Sequence, residues 1–181
     1  MLPTLSLVIP GRACRRVVPL LLGLLLGGCS SLEYYAQLAG GQWQLLQARE
    51  PVGALIADPA RDPQVQRRLA LAQQARSFAS AELGLPDNRS YRLYADLQRP
   101  YVVWNVFATA ELSLAPLTHC FPIAGCVAYR GYYQQGRARG AAALLRQNGL
   151  DTYVAGIEAY STLGWFDDPI LSSMLRWDDE H

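Results

Sequence analysis

Tyr101–Thr109 has the sequence YVVWNVFAT, an uninterrupted run of mostly β-branched and aromatic residues. Residues of this kind are enriched in strands, and a short run with almost no polar positions predicts a buried strand. The same part of the chain holds four more strand candidates. These are Ser90–Asp96, in which apolar and polar residues alternate, Glu111–Leu117, Val127–Tyr133 and Thr152–Tyr160.

Helical patterns precede this strand-rich region. The clearest is Asp62–Glu82, where Asp62 can cap the first turn, Pro63 suits it, and apolar residues recur along one stripe. Leu32–Arg49 also has helical spacing, but it contains the pair Gly40-Gly41, which predicts a helix with a weak middle.

Two further helices are predicted within and after the strand-rich region. Gln134–Asn148 predicts an inserted helix that Gly149 closes, and Pro169 begins another apolar helical pattern. The order of elements therefore predicts an α+β fold. N-terminal helices come first, then a small, mainly antiparallel sheet with one inserted helix, and the chain ends at the start of a further helix.

Composition excludes one class of partner. The chain has 181 residues, and all 16 of its basic residues are arginine. Residues 29–181 carry 13 of them against 15 acidic residues, a net charge of −2. Non-specific nucleic-acid binding depends on many basic residues that displace counterions from phosphates, so we expect no nucleic-acid partner.

The N-terminus resembles a bacterial lipoprotein signal. Arginines at positions 12, 15 and 16 precede the apolar run Val17–Leu26, which is too short to span a membrane and suits a secretory signal. Leu26-Gly27-Gly28-Cys29 then resembles a lipobox, which implies cleavage after residue 28 and lipid on Cys29. Ser30 and Ser31 follow instead of an aspartate that would retain the protein at the inner membrane. We therefore expect an exported lipoprotein that faces the periplasm, with the outer membrane favoured; the alternative is an uncleaved anchor or a misassigned start, with Cys29 merely buried.

Cys120 and Cys126 enclose a five-residue loop that contains Pro122 and Gly125. In an exported chain, two such cysteines can form a disulfide that closes a tight reversal between strands. They can also be two buried thiols. A metal site that includes His119 is a third possibility, although zinc-binding cysteine pairs usually lie two to four residues apart.

Four segments together resemble the putative zinc aminopeptidases of Gram-negative bacteria, which are predicted lipoproteins. The segments are ELGLPDNRSY (82–91), YADLQRPYVVW (94–104), CFPIAGCVAYRGY (120–132) and YSTLGWFDDP (160–169). The resemblance implies a lipid-anchored, periplasm-facing peptidase of the His-Glu-x-x-His class. In that class two histidines bind zinc and the glutamate between them is the general base.

The chain departs from that pattern at the metal site. Its two histidines, His119 and His181, are far apart in sequence, and no His-Glu-x-x-His occurs. In the family the zinc helix follows the segment that matches 160–169. We therefore expect residues 29–181 to be the N-terminal part of an incomplete aminopeptidase domain, without catalytic residues or metal ligands and inactive, although zinc is expected for the full-length family. Glu180 and His181 are not expected to be ligands.

A possible substrate cleft remains. A strand beside the active helix of such enzymes pairs with an extended peptide, and Thr152–Tyr160 is the candidate strand. We expect the cleft rim to include Tyr160, Ser161, Trp165, Phe166, Asp167 and Asp168. In the alternative interpretation the two aromatic residues at 165 and 166 anchor a core, residues 160 and 161 fill a turn, and one of the two aspartates caps the last helix.

Arg130 can grip a carboxylate or pair within the sheet. A non-enzymatic envelope lipoprotein that binds a peptide or protein partner is the alternative function.

Overall fold

The computed structural model describes residues 31–121, 125–162 and 165–176. The chain divides into two units, residues 1–39 and residues 40–181. The predicted signal peptide and Cys29 lie outside the described residues. In the described part of the chain, no helix is both long and apolar enough to cross a membrane.

The first unit is helical over 31–39, and the helix that we call α1 covers 31–47, so that residues 40–47 belong to the second unit. The remaining elements all lie in the second unit. In chain order they are β1 (Arg49–Pro51), α2 (Val52–Ala57), α3 (Pro63–Ala81), β2 (Leu93–Ala95), β3 (Val103–Ala110), β4 (His119–Phe121), β5 (Gly125–Val127), β6 (Arg130–Tyr132), α4 (Gln135–Gln147), β7 (Leu150–Ile157), β8 (Ile170–Leu171) and a 3₁₀ helix (Ser172–Leu175).

Two predicted helix ends are confirmed, the start of α3 and the end of α4. The Asp62 carboxylate accepts a hydrogen bond of 2.7 Å from the Gln64 amide at the start of α3. After α4, Gly149 takes a positive φ of 78° and donates its amide to the Arg146 carbonyl. A left-handed residue at this point ends a helix at little cost only when it is glycine.

A first sheet, in the order β1-β2-β8, lies against α2 and α3. Strand β1 pairs antiparallel with β2, whereas β2 and β8 run parallel. The core here consists of apolar side chains from α2, α3, β2 and β8. They are Val52, Leu55, Leu69, Tyr94 and Ile170.

A second sheet, in the order β6-β3-β7, is antiparallel throughout and has the predicted buried strand at its centre. Helix α4 packs against β3 and β7. The Arg146 guanidinium in α4 donates to the Thr152 hydroxyl, and Thr152 pairs with Ala108 in the register of β3 and β7. Helix α4 therefore covers the face that carries Val106 and Ala108, both of which are buried.

The α+β class is confirmed, but several expected elements differ. The strands form three small sheets, since β4 and β5 make a separate hairpin. Glu111–Leu117 is not a strand; only Pro116 forms a bridge, to Thr109. Val127–Tyr133 is divided between β5 and β6, and the short helix α2 was not expected. Gly40-Gly41 does not interrupt α1.

The apolar pattern after Pro169 is also not a regular helix. Ile170–Leu171 pairs with β2 as a strand, and a single 3₁₀ turn follows. Serine side chains hold this turn. Ser172 Oγ accepts the Leu97 amide at 2.9 Å, and Ser173 Oγ donates to the Glu158 carbonyl at 2.5 Å. These bonds and the pairing with β2 join the segment to distant parts of the chain, and such tertiary contacts outweigh a local helical pattern.

Candidate functional site: a sheet edge and the segment that follows it

Strand β7, the candidate substrate strand, lies at one edge of the second sheet. It pairs with β3 over eight residues, from Leu150 opposite Ala110 to Ile157 opposite Val103. Among the described residues, β3 is the only strand that pairs with it. Its other side therefore presents main-chain donors and acceptors that an extended peptide can use.

The face of this sheet opposite α4 carries aromatic side chains next to that edge. Phe107 lies directly opposite Tyr153 in the register, and the Phe107 ring contacts the Tyr129 ring at 5.6 Å between centroids. Tyr153 is 68% exposed and Tyr129 is 39% exposed. Aromatic rings that are accessible beside a free edge can pack against peptide side chains.

A close approach on the α4 side shapes the C-terminal end of β7. Gly156 lies opposite Trp104, and the Tyr101 ring lies so close to Gly156 that a Cβ there would overlap it. Tyr101 also packs edge-to-face on Trp104, at 6.2 Å between centroids. Glycine is thus required at position 156 to admit this aromatic pair.

Asp168 holds the segment that follows β7. Its carboxylate accepts hydrogen bonds from the Thr162 amide at 2.9 Å, from the Thr162 hydroxyl at 2.7 Å and from the Ser161 hydroxyl at 3.2 Å. The main chain of the same residue is bonded as well. The Tyr91 amide donates to the Asp168 carbonyl at 2.7 Å, and the Asp168 amide donates to Ser90 Oγ at 3.3 Å. The buried carboxylate therefore has a structural role, and neither aspartate caps a final helix.

Tyr160 belongs to a second hydrogen-bonded cluster. Its hydroxyl donates to Gln42 Oε1 at 2.6 Å and lies 2.9 Å from the Tyr133 hydroxyl, which itself donates to the same Gln42 oxygen at 2.9 Å. Burial raises the pKa of the Tyr160 hydroxyl far above its usual range, and the neighbouring Tyr133 hydroxyl raises it further. Tyr160 therefore stays protonated near neutral pH and acts there as a hydrogen-bond donor rather than as a base.

A half-buried cation, Arg99, supports this tyrosine cluster. Arg99 Nη2 donates to the Val102 carbonyl at 2.9 Å, and Nη1 donates to the Tyr133 carbonyl at 2.5 Å. The guanidinium also lies over the Trp104 and Tyr133 rings, at 5.6 and 5.9 Å from their centroids. Burial lowers the pKa of Arg99, while the charge remains favourable against the two aromatic faces.

Trp165 and Phe166 are exposed, by 72% and 51%, so they are not core anchors. The Phe166 amide donates to the Thr162 hydroxyl at 3.1 Å, and the Trp165 amide donates to the Thr162 carbonyl at 3.1 Å. Asp167 makes an ion pair of 2.7 Å with the exposed Arg89. The segment that Asp168 holds thus presents two large aromatic side chains to solvent.

Cys120 and Cys126 form a disulfide across the β4–β5 hairpin, so the interpretations as buried thiols and as a metal site are wrong. His119 begins this hairpin opposite Val127. Burial lowers the pKa of His119, and the positive charge of Arg130 lowers it further. Arg130 lies in β6 opposite Val106, and this register does not decide between a grip on a carboxylate and a pairing within the sheet.

Residues 33–181 match the family described as putative aminopeptidase. The chain belongs to the putative aminopeptidase family. Neither the curated proteins nor the solved structures include a significant match to it.

Zinc chemistry does not fit the residues that the structure describes in this putative aminopeptidase. Within 31–121, 125–162 and 165–176, no group of three or more His, Cys, Asp or Glu side chains is placed to hold a metal ion. His181 lies outside these ranges. We therefore derive no reaction step through a metal from this arrangement.

Sequence reasoning missed the partners that hold the predicted rim residues of this putative aminopeptidase in place. Gln42 lies 118 positions before Tyr160, and Ser90 lies 78 positions before Asp168. No local pattern indicates such pairings. Arg99 and Tyr132 lie in segments that resemble the family, and Tyr133 directly follows one of them, but the sequence did not indicate that Arg99 and Tyr133 are in contact.

Proposed function

We propose that this member of the putative aminopeptidase family is a lipid-anchored protein of the cell envelope that binds extended peptides along β7. We also propose that the family's hydrolytic chemistry depends on zinc and that these 181 residues do not perform it. Lipid attachment at Cys29 and a position facing the periplasm, with the outer membrane favoured, are parts of the same proposal.

One observation carries the peptide-binding proposal, namely the position of β7 at the edge of the sheet. The edge strand is eight residues long, whereas β6 at the opposite edge has three residues. An added strand gains main-chain hydrogen bonds along its length, so the longer edge favours binding there. The exposed Tyr153 ring next to this edge adds a surface for alternate side chains of the peptide.

The absence of hydrolysis is proposed from the residue types present. The sequence contains no His-Glu-x-x-His, and Asp168, the buried carboxylate near β7, is engaged by Ser161 and Thr162. A general base must reach the proton of an attacking water, and a carboxylate with these three donors already in place is not arranged for that role. The second candidate is a lipoprotein that is non-enzymatic at its full natural length and binds a peptide or protein partner, so that no downstream residues supply the family's hydrolytic chemistry; the absence of His-Glu-x-x-His from these 181 residues favours it.

Amide NMR shifts on peptide titration test where the peptide binds. We expect shifts in Leu150–Ile157 and none in Arg130–Tyr132, the other edge of the same sheet. A peptide N-methylated at alternate positions loses main-chain donors. If two bonds of about 1 kcal/mol each are lost, binding weakens by about 30-fold. Equal affinity for both peptides, or shifts confined to other elements, would contradict pairing along β7.

Reading the coding DNA beyond codon 181 in all three frames distinguishes the two candidates. A His-Glu-x-x-His within about 40 residues, the length of a further helix pair, supports the metallopeptidase origin. A stop codon with no trace of the motif downstream favours the binding lipoprotein.

A further inference from the structure

The first unit has apolar residues on its exposed side as well as on its buried side. Leu32, Tyr35, Ala36 and Ala39 follow the spacing i, i+3, i+4, i+7 and therefore form one stripe along residues 31–39 of α1. All four are exposed, Leu32 by 72% and Tyr35 by 45%. The buried Tyr34 and the half-buried Leu38, one turn apart, lie on the other side of the helix.

An exposed apolar stripe on a helix needs a partner, because apolar surface in water is costly. The few charged residues around the stripe indicate which kind of partner it contacts. Glu33 is the only charged residue in 31–39. A helix without basic residues gains nothing from an anionic surface, and a tyrosine next to aliphatic residues suits the boundary between headgroups and acyl chains.

The short distance between Cys29 and Leu32 also favours a membrane as the partner of the stripe. Leu32 is three Cα–Cα steps after Cys29, and an extended chain spans at most about 3.6 Å per step, or about 11 Å in total. If Cys29 carries the lipid, Leu32 cannot lie farther than that from the anchored residue. The helix therefore begins at the membrane surface whatever the conformation of the intervening residues.

We propose that the Leu32–Ala39 stripe lies in the membrane interface and contacts uncharged lipid directly. This inference depends on lipid attachment at Cys29, which is part of the proposed function. The contact holds the first helical turns of the chain along the membrane surface. The acyl chains on Cys29 attach the protein at a single point, and the contact of the stripe with lipid adds a second attachment to the membrane.

The lipidated full-length protein, reconstituted in phosphatidylethanolamine–phosphatidylcholine vesicles, allows a direct test. With Cys29 acylated and Cys120 bonded to Cys126, an introduced cysteine is the only free thiol of the mature chain. A bimane label is placed at Ala36→Cys or Ala39→Cys, on the stripe, and at Glu33→Cys as the control. Quenching by doxyl lipid is then measured.

We expect quenching at positions 36 and 39 to be at least about threefold stronger than at position 33, as for a helix with one face in the interface. The substitution Leu32→Glu should reduce the quenching of the label at 39 without changing the circular dichroism. Adding phosphatidylglycerol should leave the signal unchanged, since residues 31–39 contain no basic residue.

Three results would overturn the proposal. Equal quenching at 33, 36 and 39, with mass spectrometry showing lipid on Cys29, contradicts the stripe contact and leaves the anchor and the peptide-binding proposal standing. A bimane label at position 36 that is shielded from solvent increasingly as the protein-to-lipid ratio rises, yet is not quenched by doxyl lipid, indicates that a second copy of the chain covers the stripe instead. Absence of lipid on Cys29 overturns this inference together with the proposed anchor, while peptide binding along β7 is unaffected.

Discussion

Asp168 shows how much of the segment after β7 depends on one side chain. It is 7% exposed, and its carboxylate accepts three hydrogen bonds from Ser161 and Thr162, while its main chain bonds to Ser90 and Tyr91. The carboxylate of Asp167, the neighbouring residue, makes an exposed ion pair with Arg89, and its main-chain carbonyl accepts a hydrogen bond of 3.3 Å from Arg49 Nη1. Two adjacent carboxylates thus differ in burial and in the number of groups that depend on them.

Asp168→Ala should therefore destabilise the protein by about 2–3 kcal/mol, because three donors lose a charged acceptor in a buried position. Asp167→Ala is the matched control, and its exposed ion pair should contribute less than about 1 kcal/mol. Urea unfolding followed by circular dichroism measures both free energies of unfolding. Equal losses in the two variants would show that the carboxylate of Asp168 does not hold this segment.

His119 should make the stability depend on pH. Its pKa in the folded protein lies below the ordinary value of 6.5, chiefly because of burial and also because of the Arg130 charge. The unfolded chain then binds a proton at a higher pH than the folded chain does. The stabilising effect is complete above 6.5, falls as the pH drops through that value, and levels off below the folded pKa.

Urea unfolding at pH about 7.5 and about 5.5 tests this sign, because these values bracket the unfolded pKa and lie above most carboxylate titrations. His119→Gln should show a smaller loss between the two pH values than the unmodified protein. His181 is present in both proteins, so the difference reports His119. If His119→Gln lost as much free energy of unfolding between the two pH values as the unmodified protein, a group other than His119 would be responsible for the pH dependence.

At the scale of elements, the two adjacent glycines of α1 differ in what surrounds them. Gly40 has open space around its Cα, whereas a Cβ at Gly41 would overlap the Tyr133 ring. Tyr133 in turn donates its hydroxyl to Gln42, the next residue of the same helix. Gly41 is therefore required for the approach of Tyr133, and Gly40 has no such requirement.

The adjacent substitutions Gly40→Ala and Gly41→Ala should consequently have opposite effects. Alanine at 40 should stabilise the protein by about 0.5–1 kcal/mol, the usual preference over glycine inside a helix. Alanine at 41 should destabilise it by about 1–3 kcal/mol, the usual cost of overpacking. Thermal unfolding measures both, and a stabilising Gly41→Ala would mean that Tyr133 does not pack there.

The β4–β5 hairpin depends on its disulfide more than on its contacts. Each strand has three residues, and both cysteines are exposed. Replacing both cysteines with alanine should cost about 2–3 kcal/mol, the value that the chain-entropy model gives for so short a loop. Hydrogen exchange should show the loss of protection at 119–121 and 125–127 while β3 stays protected; loss of protection in β3 as well would contradict a local role.

At the scale of the whole molecule, local signals predicted the elements better than their assembly. The cap at Asp62, the glycine at 149 and the apolar run at 101–109 each depend on residues close in sequence, and each was confirmed. The pairing of Ile170–Leu171 with β2 depends on residues more than 70 positions away. Alternation and periodicity carry no information about such partners, so one expected sheet became three.

In the candidate site, too, the strand was predicted from local sequence signals, whereas the long-range contacts were not. A strand is present here, at Leu150–Ile157 and not at the predicted Thr152–Tyr160, but its edge position does not test the cleft, and the rim residues remain a prediction. The role of Asp168 depends on Thr162 within its own motif and on Ser90 and Tyr91 in a different motif, and no sequence pattern links the two motifs. Family membership was predicted from long motifs, whereas the side-chain networks that hold those motifs required the structure.

The central claim is that this chain binds extended peptides and does not cleave them. The direct measurement incubates the purified chain with one equivalent of zinc chloride and an unblocked peptide, then analyses the mixture by liquid chromatography and mass spectrometry while NMR follows β7. We predict shifted β7 amides, an intact peptide and no stoichiometric zinc. Release of the N-terminal amino acid that requires zinc and stops on adding a chelator would contradict the account.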